Sequence, residues 1–93
     1  MEFGNTQTLN AKIKFSFLGV SDALCFQLGF DTQGGTTYKT DFIPADVDLI
    51  TRLLNTLELH SWEELPRKFA RIQVSGYQIK AIGNLIENKW IQL

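Results

Sequence analysis

The sequence predicts an α+β domain: an antiparallel sheet of five to six strands (order βββ-α-ββ-β) with one amphipathic helix packed on one face. Three observations support this prediction. Apolar residues alternate with polar ones from residue 11 to about residue 42, which is typical of strands. One stretch, residues 47–59, instead repeats its apolar residues at helical spacing, and the alternation returns from Phe69. A chain of 93 residues forms one core.

Composition limits the classes of protein to which this chain can belong. Hydrophobic residues make up 44% of it and its formal net charge is −1, so an intrinsically disordered chain is excluded. The longest apolar run is far shorter than the roughly 20 residues of a membrane span, and no membrane association is expected. Cys25 is the one cysteine, which rules out an internal disulfide and favours a reducing cytosol.

Residues 1–10 are largely polar and small and show no periodicity. They predict a flexible N-terminus, followed by a single domain over residues 11–93. Within that domain, three alternating segments joined by turns predict a meander, residues 11–17, 23–30 and 36–42. The aromatic residues expected to face the core from these strands are Phe15, Phe17, Phe26, Phe30 and Phe42.

The predicted helix follows the third strand. Pro44 presets the backbone for a first helical turn, and Asp46 and Asp48 place negative charge near the positive end of the helix dipole. Apolar residues then recur on one face from Val47 to Leu59. Because such a stripe needs an apolar partner, we expect the helix to lie on the sheet.

The C-terminal part begins with a short turn and ends in strands. Ser61 and Glu64 have the spacing of a capping box, and Pro66 limits the turn to about one helical repeat. The alternation that follows is interrupted at residues 75–76, which predicts a hairpin. Residues 89–93 alternate again and predict a closing strand.

Residue patterns that support catalysis are weak. Cys25 and His60 are the only cysteine and histidine, and Cys25 lies in mid-strand, where a free cysteine behaves as a small hydrophobe. Asp46 and Asp48 point about 200° apart around a helix, so they form no metal-binding pair. The sequence therefore predicts no enzymatic activity, no metal and no cofactor.

The near-zero net charge divides into two blocks. In residues 41–64, six acidic residues stand against Arg52 alone, a local charge of −5; in residues 66–93, five basic residues stand against Glu87 alone, a local charge of +4. Such asymmetry steers association with a partner. The predicted partner-binding residues are Asp46, Asp48, Glu58, Glu63, Glu64, Arg67, Lys68, Arg71 and Lys80. The alternative is that the basic residues only keep an outer sheet face soluble and protect strand edges.

Two aromatic residues of the C-terminal hairpin suggest a different partner. Phe69 and Tyr77 are out of phase with the apolar side of their strands and lie near basic residues. Exposed rings beside cations can stack on nucleic-acid bases. The pattern supports an alternative hypothesis, a small nucleic-acid-binding protein that uses the basic C-terminal hairpin.

Two segments of the C-terminal half carry a distinctive pattern. Residues 61–72 read S-W-E-E-L-P-R-K-F-A-R-I, and residues 81–90 read A-I-G-N-L-I-E-N-K-W. Over about residues 11–93 the chain resembles a family of small phage and prophage proteins. Their pattern is S-W-E-[DE]-L-x-G-[KR]-[YFH]-[VA]-R-V, then a hairpin, then [AG]-I-G-[HN]-x-[IL]-x-[DN]-x-W. The chain departs from this pattern at Arg67, where the family has glycine, and in a shortened glycine-rich segment between strands two and three.

The resemblance implies a bacteriophage or mobile-element origin and a place in the host bacterial cytoplasm. It does not imply an enzymatic activity. Small phage accessory proteins often block a host machine, as anti-CRISPR proteins do. We therefore expect a non-enzymatic protein, monomer or homodimer, that binds and inhibits a host nucleic-acid-processing or defence complex, such as a CRISPR nuclease. The acidic residues are the favoured contact, because nucleic-acid channels are positively charged. Nucleic acid is the less favoured partner.

Overall fold

The computed structural model describes residues 6–93, which form one open antiparallel sheet and one α-helix. The strands are β1 (Thr6–Val20), β2 (Leu24–Thr32), β3 (Thr37–Lys39), β4 (Ile43–Pro44), β5 (Phe69–Ser75), β6 (Gln78–Gly83) and β7 (Trp90–Gln92). The helix α1 (Val47–Thr56) and a 3-10 turn (Trp62–Glu64) lie between β4 and β5. The order in the sheet is β3-β2-β1-β5-β6-β7, with β4 paired to β2 further along the same edge. The predicted α+β class is confirmed.

The described chain has seven strands because the predicted third strand, residues 36–42, is divided in two. Thr40 interrupts it. The Thr40 N–H donates to the Leu28 carbonyl at 2.9 Å, and the Thr40 hydroxyl accepts from the Leu28 N–H at 3.1 Å. A side chain thus takes the place of a backbone acceptor. As a result β3 ends at Lys39, and β4 resumes the pairing with β2 at Ile43.

β1 begins earlier than the apolar alternation predicts. Its residues 6–12 pair with β5, from Thr6 opposite Ser75 to Lys12 opposite Phe69. The prediction of a flexible N-terminus is therefore wrong for residues 6–10, and residues 1–5 lie outside the described chain. Backbone pairing with β5 stabilises this polar segment, and it leaves no periodic signal because most of the side chains involved are exposed.

A β-bulge in β1 turns the strand over. Ile13 pairs with Phe30, whereas Phe15 pairs with Gly29, so Lys14 is an extra residue on the β1 side. Since successive side chains of a strand point to opposite faces, one extra residue moves every later side chain to the other face. Ile13 is consequently buried in the core, and Phe15 lies on the outer face of the sheet.

The observed core differs in part from the predicted one. Phe26 and Phe30 are fully buried, as the alternation of β2 predicts. The inward placement predicted for Phe15, Phe17 and Phe42 is wrong. The ring of Phe17 packs edge-on against that of Phe42, with centroids 6.0 Å apart, and 59% of Phe42 is exposed.

The core lies between the inner face of the sheet and the segment that contains α1 and the 3-10 turn. Its buried members are Ala11, Ile13, Phe26, Leu28, Phe30, Leu53, Leu57, Leu65, Ala70, Ile72, Val74, Ile79, Ile82 and Ile91. Trp62 packs edge-on against Phe26, with centroids 5.7 Å apart, and holds the 3-10 turn on the core as predicted. Each large buried side chain stabilises the fold by about 1.5–3 kcal/mol relative to an exposed one.

The helix ends at Thr56, three residues before the predicted end at Leu59. The Leu59 N–H donates to the Leu54 carbonyl at 2.8 Å, and the Glu58 N–H donates to the Asn55 carbonyl at 3.1 Å. This pair of bonds is a Schellman ending, which requires a left-handed residue after the cap. Glu58 has that conformation, with φ of 59°, and directs the chain toward the 3-10 turn.

Asn84 connects the end of α1 with the turn between β6 and β7. Its buried side chain donates from Nδ2 to the Thr56 carbonyl at 3.1 Å. Its Oδ1 accepts from the N–H groups of Ile86 and Glu87, each at 3.0 Å. The Asn84 carbonyl accepts from Arg71 Nε at 2.7 Å. One amide group thus fixes the conformation of the turn relative to the helix.

Replacing this amide is expected to destabilise the fold. Asn84→Ala leaves the Thr56 carbonyl and two N–H groups without these partners, and we expect the free energy of unfolding to fall by about 2–3 kcal/mol. Urea denaturation followed by circular dichroism measures this loss. Asn88→Ala, at an exposed position of the same turn, is the matched control and should change the stability by less than about 0.5 kcal/mol. Equal losses in the two variants would contradict the role of Asn84.

Candidate partner-binding site

Most of the acidic residues predicted to bind a partner have partners within the chain. Asp48 Oδ2 lies 3.7 Å from Arg52 Nη1, one helical turn away. Asp46 caps α1, because its carboxylate accepts from the Asp48 N–H at 2.9 Å. Glu58 Oε2 lies 2.8 Å from Lys89 Nζ. Exposed pairs of this kind stabilise a fold by only about 0–1 kcal/mol. They do reduce the negative charge that this side offers to another molecule.

Glu64 closes the loop between α1 and the 3-10 turn. Its Oε1 accepts from the backbone N–H groups of His60 at 2.6 Å and Ser61 at 3.0 Å, and the predicted capping box is confirmed. These two hydrogen bonds favour the charged carboxylate and lower the pKa of Glu64. Its neighbour Glu63 is exposed and makes no side-chain hydrogen bond or ion pair within residues 6–93.

The pairing at the end of α1 joins the two charge blocks. The hydrogen bond from Lys89 is the largest cause that lowers the pKa of Glu58, and the same bond is the largest cause that raises the pKa of Lys89. Glu87 Oε1 also lies 3.5 Å from Lys89 Nζ. The acidic end of the helix and the turn before β7 therefore partly neutralise one another.

Arg71 is held firmly by the turn before β7. Its Nε and Nη2 donate to the carbonyls of Asn84 and Glu87, at 2.7 and 2.9 Å. Its guanidinium lies 4.8 Å from the centre of a Trp90 ring, a cation–π contact. The Trp90 ring covers Gly83 so closely that a Cβ there would lie 2.6 Å from it. The donors of Arg71 thus serve the fold.

Lys80 lies apart from the other basic residues predicted to bind a partner. It lines a cleft of about 540 Å³ with Asp41 and Tyr77, and the Tyr77 ring is 6.3 Å from that of Tyr38. Here the curled sheet brings β3 close to β6. Arg67 lines a different cavity, so the structure does not gather the predicted basic residues into one patch.

Arg67 and Lys68 flank an exposed aromatic ring. Phe69 is 54% exposed, and Lys12 Nζ lies 5.5 Å from its ring centre. Leu85 is exposed beside it, and together they border two shallow grooves of about 380 and 330 Å³. The members of this patch, called the Phe69 surface below, are Lys12, Arg67, Lys68, Phe69, Leu85 and Ile86.

Three separate elements place these side chains together. Phe69 starts β5 on the outer phase of the strand, as its position in the alternation predicts. The register of β1 against β5 sets Lys12 directly opposite Phe69. Leu85 and Ile86 come from the turn that Asn84 holds. The patch therefore combines an apolar centre with a border on which three basic residues lie, and Asp31 and Glu58 line the same two grooves. It can bind an apolar group that lies beside negative charge.

Half of this surface is predictable from the sequence. Arg67, Lys68 and Phe69 lie next to one another in the chain and are recognised by charge and phase. Lys12 was missed because its neighbourhood depends on the pairing of β1 with β5, which local periodicity does not reveal. The apolar pair at residues 85–86 in the middle of a turn was an available signal, since turns favour polar residues.

The two candidate catalytic residues, Cys25 and His60, lie in different environments. Cys25 is buried in β2, and His60 is exposed in the loop after α1. Within residues 6–93 no group of three or more histidine, cysteine, aspartate or glutamate side chains is arranged to hold a metal ion. In the same part of the chain, no helix has the length and apolar character needed to span a membrane.

Comparison with known proteins adds no assignment. No protein-family model, no curated protein and no solved structure matches the chain. Function is therefore inferred from the Phe69 surface, from the charges around it and from the sequence pattern of residues 61–72 and 81–90.

The lowered pKa of Glu64 predicts how the fold responds to acid. A carboxylate with a lowered folded-state pKa stabilises the fold above its ordinary value of 4.5. That contribution is lost as the pH falls through the lower, folded-state pKa. Glu64→Gln should therefore be less stable than the wild type at pH 7, and the difference should shrink as the pH falls below 4.5. Urea titrations at several pH values measure it. Glu63→Gln is the neighbouring control and should leave the stability at pH 7 nearly unchanged.

The conformation of Arg67 predicts a stabilising substitution. Arg67 has φ of 73°, in the left-handed region where residues with a Cβ are strained and glycine is not. This explains in physical terms why a glycine suits this position. Arg67→Gly should raise the free energy of unfolding by up to about 1 kcal/mol. Arg67→Ala, which removes the same charge but keeps the Cβ, should not. An equal gain in both variants would assign the effect to charge.

Proposed function

We propose that this protein is a non-enzymatic interaction protein that binds an acidic surface of a partner protein through the Phe69 surface. The observation that best supports this is the exposure of Phe69, Leu85 and Ile86 beside one another. Adjacent exposed apolar side chains mark interaction sites on soluble proteins. An aromatic residue bordered by basic and polar groups has the composition of an interface centre.

The charges around this surface favour an acidic partner. Within residues 6–93, Lys12, Arg67 and Lys68 form no ion pair with an acidic residue. Asp31 stands opposite Lys12 in the pairing of β1 with β2, and the charge of Lys68 contributes to the lowered pKa of Glu58. These neighbours offset part of the basic charge, and the remainder is available to a second molecule. The acidic side of the chain differs, because Asp48 and Glu58 already have cationic partners. These contacts support the basic side as the binding surface in preference to the acidic helix side that the sequence favours.

The setting of the partner follows from the sequence pattern. Residues 61–72 and 81–90 resemble phage proteins, and this resemblance supports a partner that belongs to a host nucleic-acid-processing or defence complex. A protein without a catalytic site inhibits such a complex by covering a surface that the complex needs. Electrostatic complementarity at that surface would set the orientation of binding and raise the association rate.

Two substitutions on the Phe69 surface, one in β5 and one in β1, test the proposal. Phe69→Ser and Lys12→Glu should each weaken binding to the partner. For Phe69, the loss of an interface centre of about 2 kcal/mol corresponds to an affinity roughly 30-fold lower. Tyr77→Ser is the matched control, because it removes an exposed ring far along the hairpin at a different cleft. Circular dichroism verifies that each variant is folded.

The readout compares variants. Tagged wild type and variants are incubated with bacterial lysate, and the proteins retained are quantified by mass spectrometry. The proposal predicts a set of proteins that both Phe69 surface variants lose and that Tyr77→Ser keeps. If Glu63→Lys loses that set while Phe69→Ser keeps it, the acidic side is the binding surface and the proposal is wrong.

A second candidate, binding of single-stranded nucleic acid, rests on the contact between Lys12 and the Phe69 ring at 5.5 Å. A ring exposed beside cations can stack on a base while the cations contact phosphates. Fluorescence anisotropy with labelled single-stranded DNA and RNA tests this candidate. Binding that weakens steeply with salt and is lost in Phe69→Ser supports it, and the absence of binding at low salt excludes it.

A further inference from the structure

The second half of β1 has a strand on one side only. Residues 6–12 pair with β5, and the Ile13 N–H and carbonyl are bonded to the Lys68 carbonyl and the Arg67 N–H at 2.9 and 2.7 Å. Beyond Ile13, β1 continues to Val20 with β2 as its neighbour, and no strand of residues 6–93 lies on the other side. We call residues 14–20 the free edge of β1.

The hydrogen bonds of β2 show which backbone groups of β1 point outward from the free edge. Leu28 of β2 exchanges hydrogen bonds with Thr40, away from β1. In an antiparallel pair the residues opposite one another point their backbone groups the same way, both toward or both away from each other. Ser16 is opposite Leu28, so its N–H and carbonyl point away from β2, and by alternation those of Leu18 and Val20 do so too.

The free edge lacks the protection that is usual for an exposed strand. Edge strands generally carry charged residues or proline, which discourage pairing with another chain. Here Lys14 is the one charged residue of the edge, at its start. Leu18 is 42% exposed and Val20 is 74% exposed. An apolar edge with three consecutive outward pairs of hydrogen-bonding groups is a template for a further strand.

We propose that a second copy of this chain pairs with the free edge of β1, antiparallel and with two-fold symmetry, in a register centred on Leu18. In this register Leu18 faces Leu18 of the second copy, and Ser16 faces Val20 of the second copy. All three residues point their backbone groups toward the new neighbour, and each such pair exchanges two hydrogen bonds, about six in total. A two-fold interface is self-complementary, as this register requires.

Steric limits select this register. A register that places Val20 of the second copy opposite Lys14 would set the following turn beside Ile13, where Arg67 and Lys68 already lie. A register shifted the other way keeps fewer of the outward pairs. Centring on Leu18 is the longest pairing that ends before Ile13.

Charge also favours this register. With Val20 of the second copy opposite Ser16, the turn that carries Asp22 of the second copy comes next to Lys14 at each end of the pairing, so the charged residue of the edge is near a residue of opposite sign. Because the symmetry axis is perpendicular to the joined sheet, both Phe69 surfaces face the same side. Lys12 lies six residues from the axis at Leu18, so the two Lys12 residues are roughly 40 Å apart along the strands.

Mass in solution is the first test. Multi-angle light scattering over micromolar to hundreds of micromolar concentrations should give a dimer for the wild type. Leu18→Lys places two like charges on the symmetry axis and should shift the mass to that of the monomer. Val47→Lys introduces the same charge at an exposed residue of α1 (82% exposed) and should remain dimeric. A wild type that is monomeric throughout, or a Leu18→Lys variant that remains dimeric, would overturn the proposal.

Cross-linking tests the register with variants that disturb the fold little. In Leu18→Cys the two thiols are carried by directly opposite residues, about 5.5 Å apart between Cα atoms, and a short thiol-specific cross-linker should join the copies. In Ser16→Cys the two sites are roughly 14 Å apart along the strands, so the same reagent should not join them. The wild type, whose one cysteine is buried, is the background control. Equal cross-linking of the two variants would show that the register is wrong.

Discussion

β1 pairs with β5 along its first half and with β2 along its second half, and the bulge at Lys14 lies just past the place where the two pairings overlap. Residues 6–10 are paired with β5 alone, and over residues 11–13 the strand is bonded on both sides, by β2 and by β5 with the segment before it. Past the bulge only β2 remains. An extra residue bends a strand, increases its twist and exchanges its faces. The limit of the core along β1 and the placement of Phe15 and Phe17 on the outer face depend on this one insertion.

The same insertion divides the outer face of the sheet into two chemically different regions. Before the bulge, Lys12 covers the ring of Phe69, and the surroundings are basic. After it, Phe17 and Phe42 pack together and the surroundings are apolar. A strand without the bulge would have buried Phe17 in the core and turned charged or polar residues outward. The bulge therefore places a basic region and an apolar region on the same face of the sheet. The alternation of apolar and polar residues in the sequence of β1 gives no sign of it.

Local features of the fold could be predicted from the sequence, and non-local ones could not. The capping box and the outward phase of Phe69 each depend on neighbours within a few residues, and the sequence indicates them correctly. The apolar stripe also places the helix from Val47, but the helical turn predicted at Pro44 is wrong, because Pro44 lies in β4 and pairs with Cys25 of β2. Lys14 continues the alternation of β1, so nothing in the sequence marks the bulge. The contact of Lys12 with Phe69 joins residues more than half the chain apart and depends on strand pairing, which periodicity does not specify.

Charge shows why position in space matters more than position in sequence. The acidic and basic blocks are separate in the sequence, yet Glu58 and Lys89 bring them together in space at the end of α1. Screening reduces interactions between exposed charges beyond about 8 Å at physiological ionic strength. With a net charge of −1, long-range attraction is weak, and recognition depends on groups at contact distance. A cation without an ion-pair partner contributes most to recognition where apolar contact also brings the other molecule close. In the described chain, Arg67 and Lys68 have no ion-pair partner and lie beside the exposed ring of Phe69.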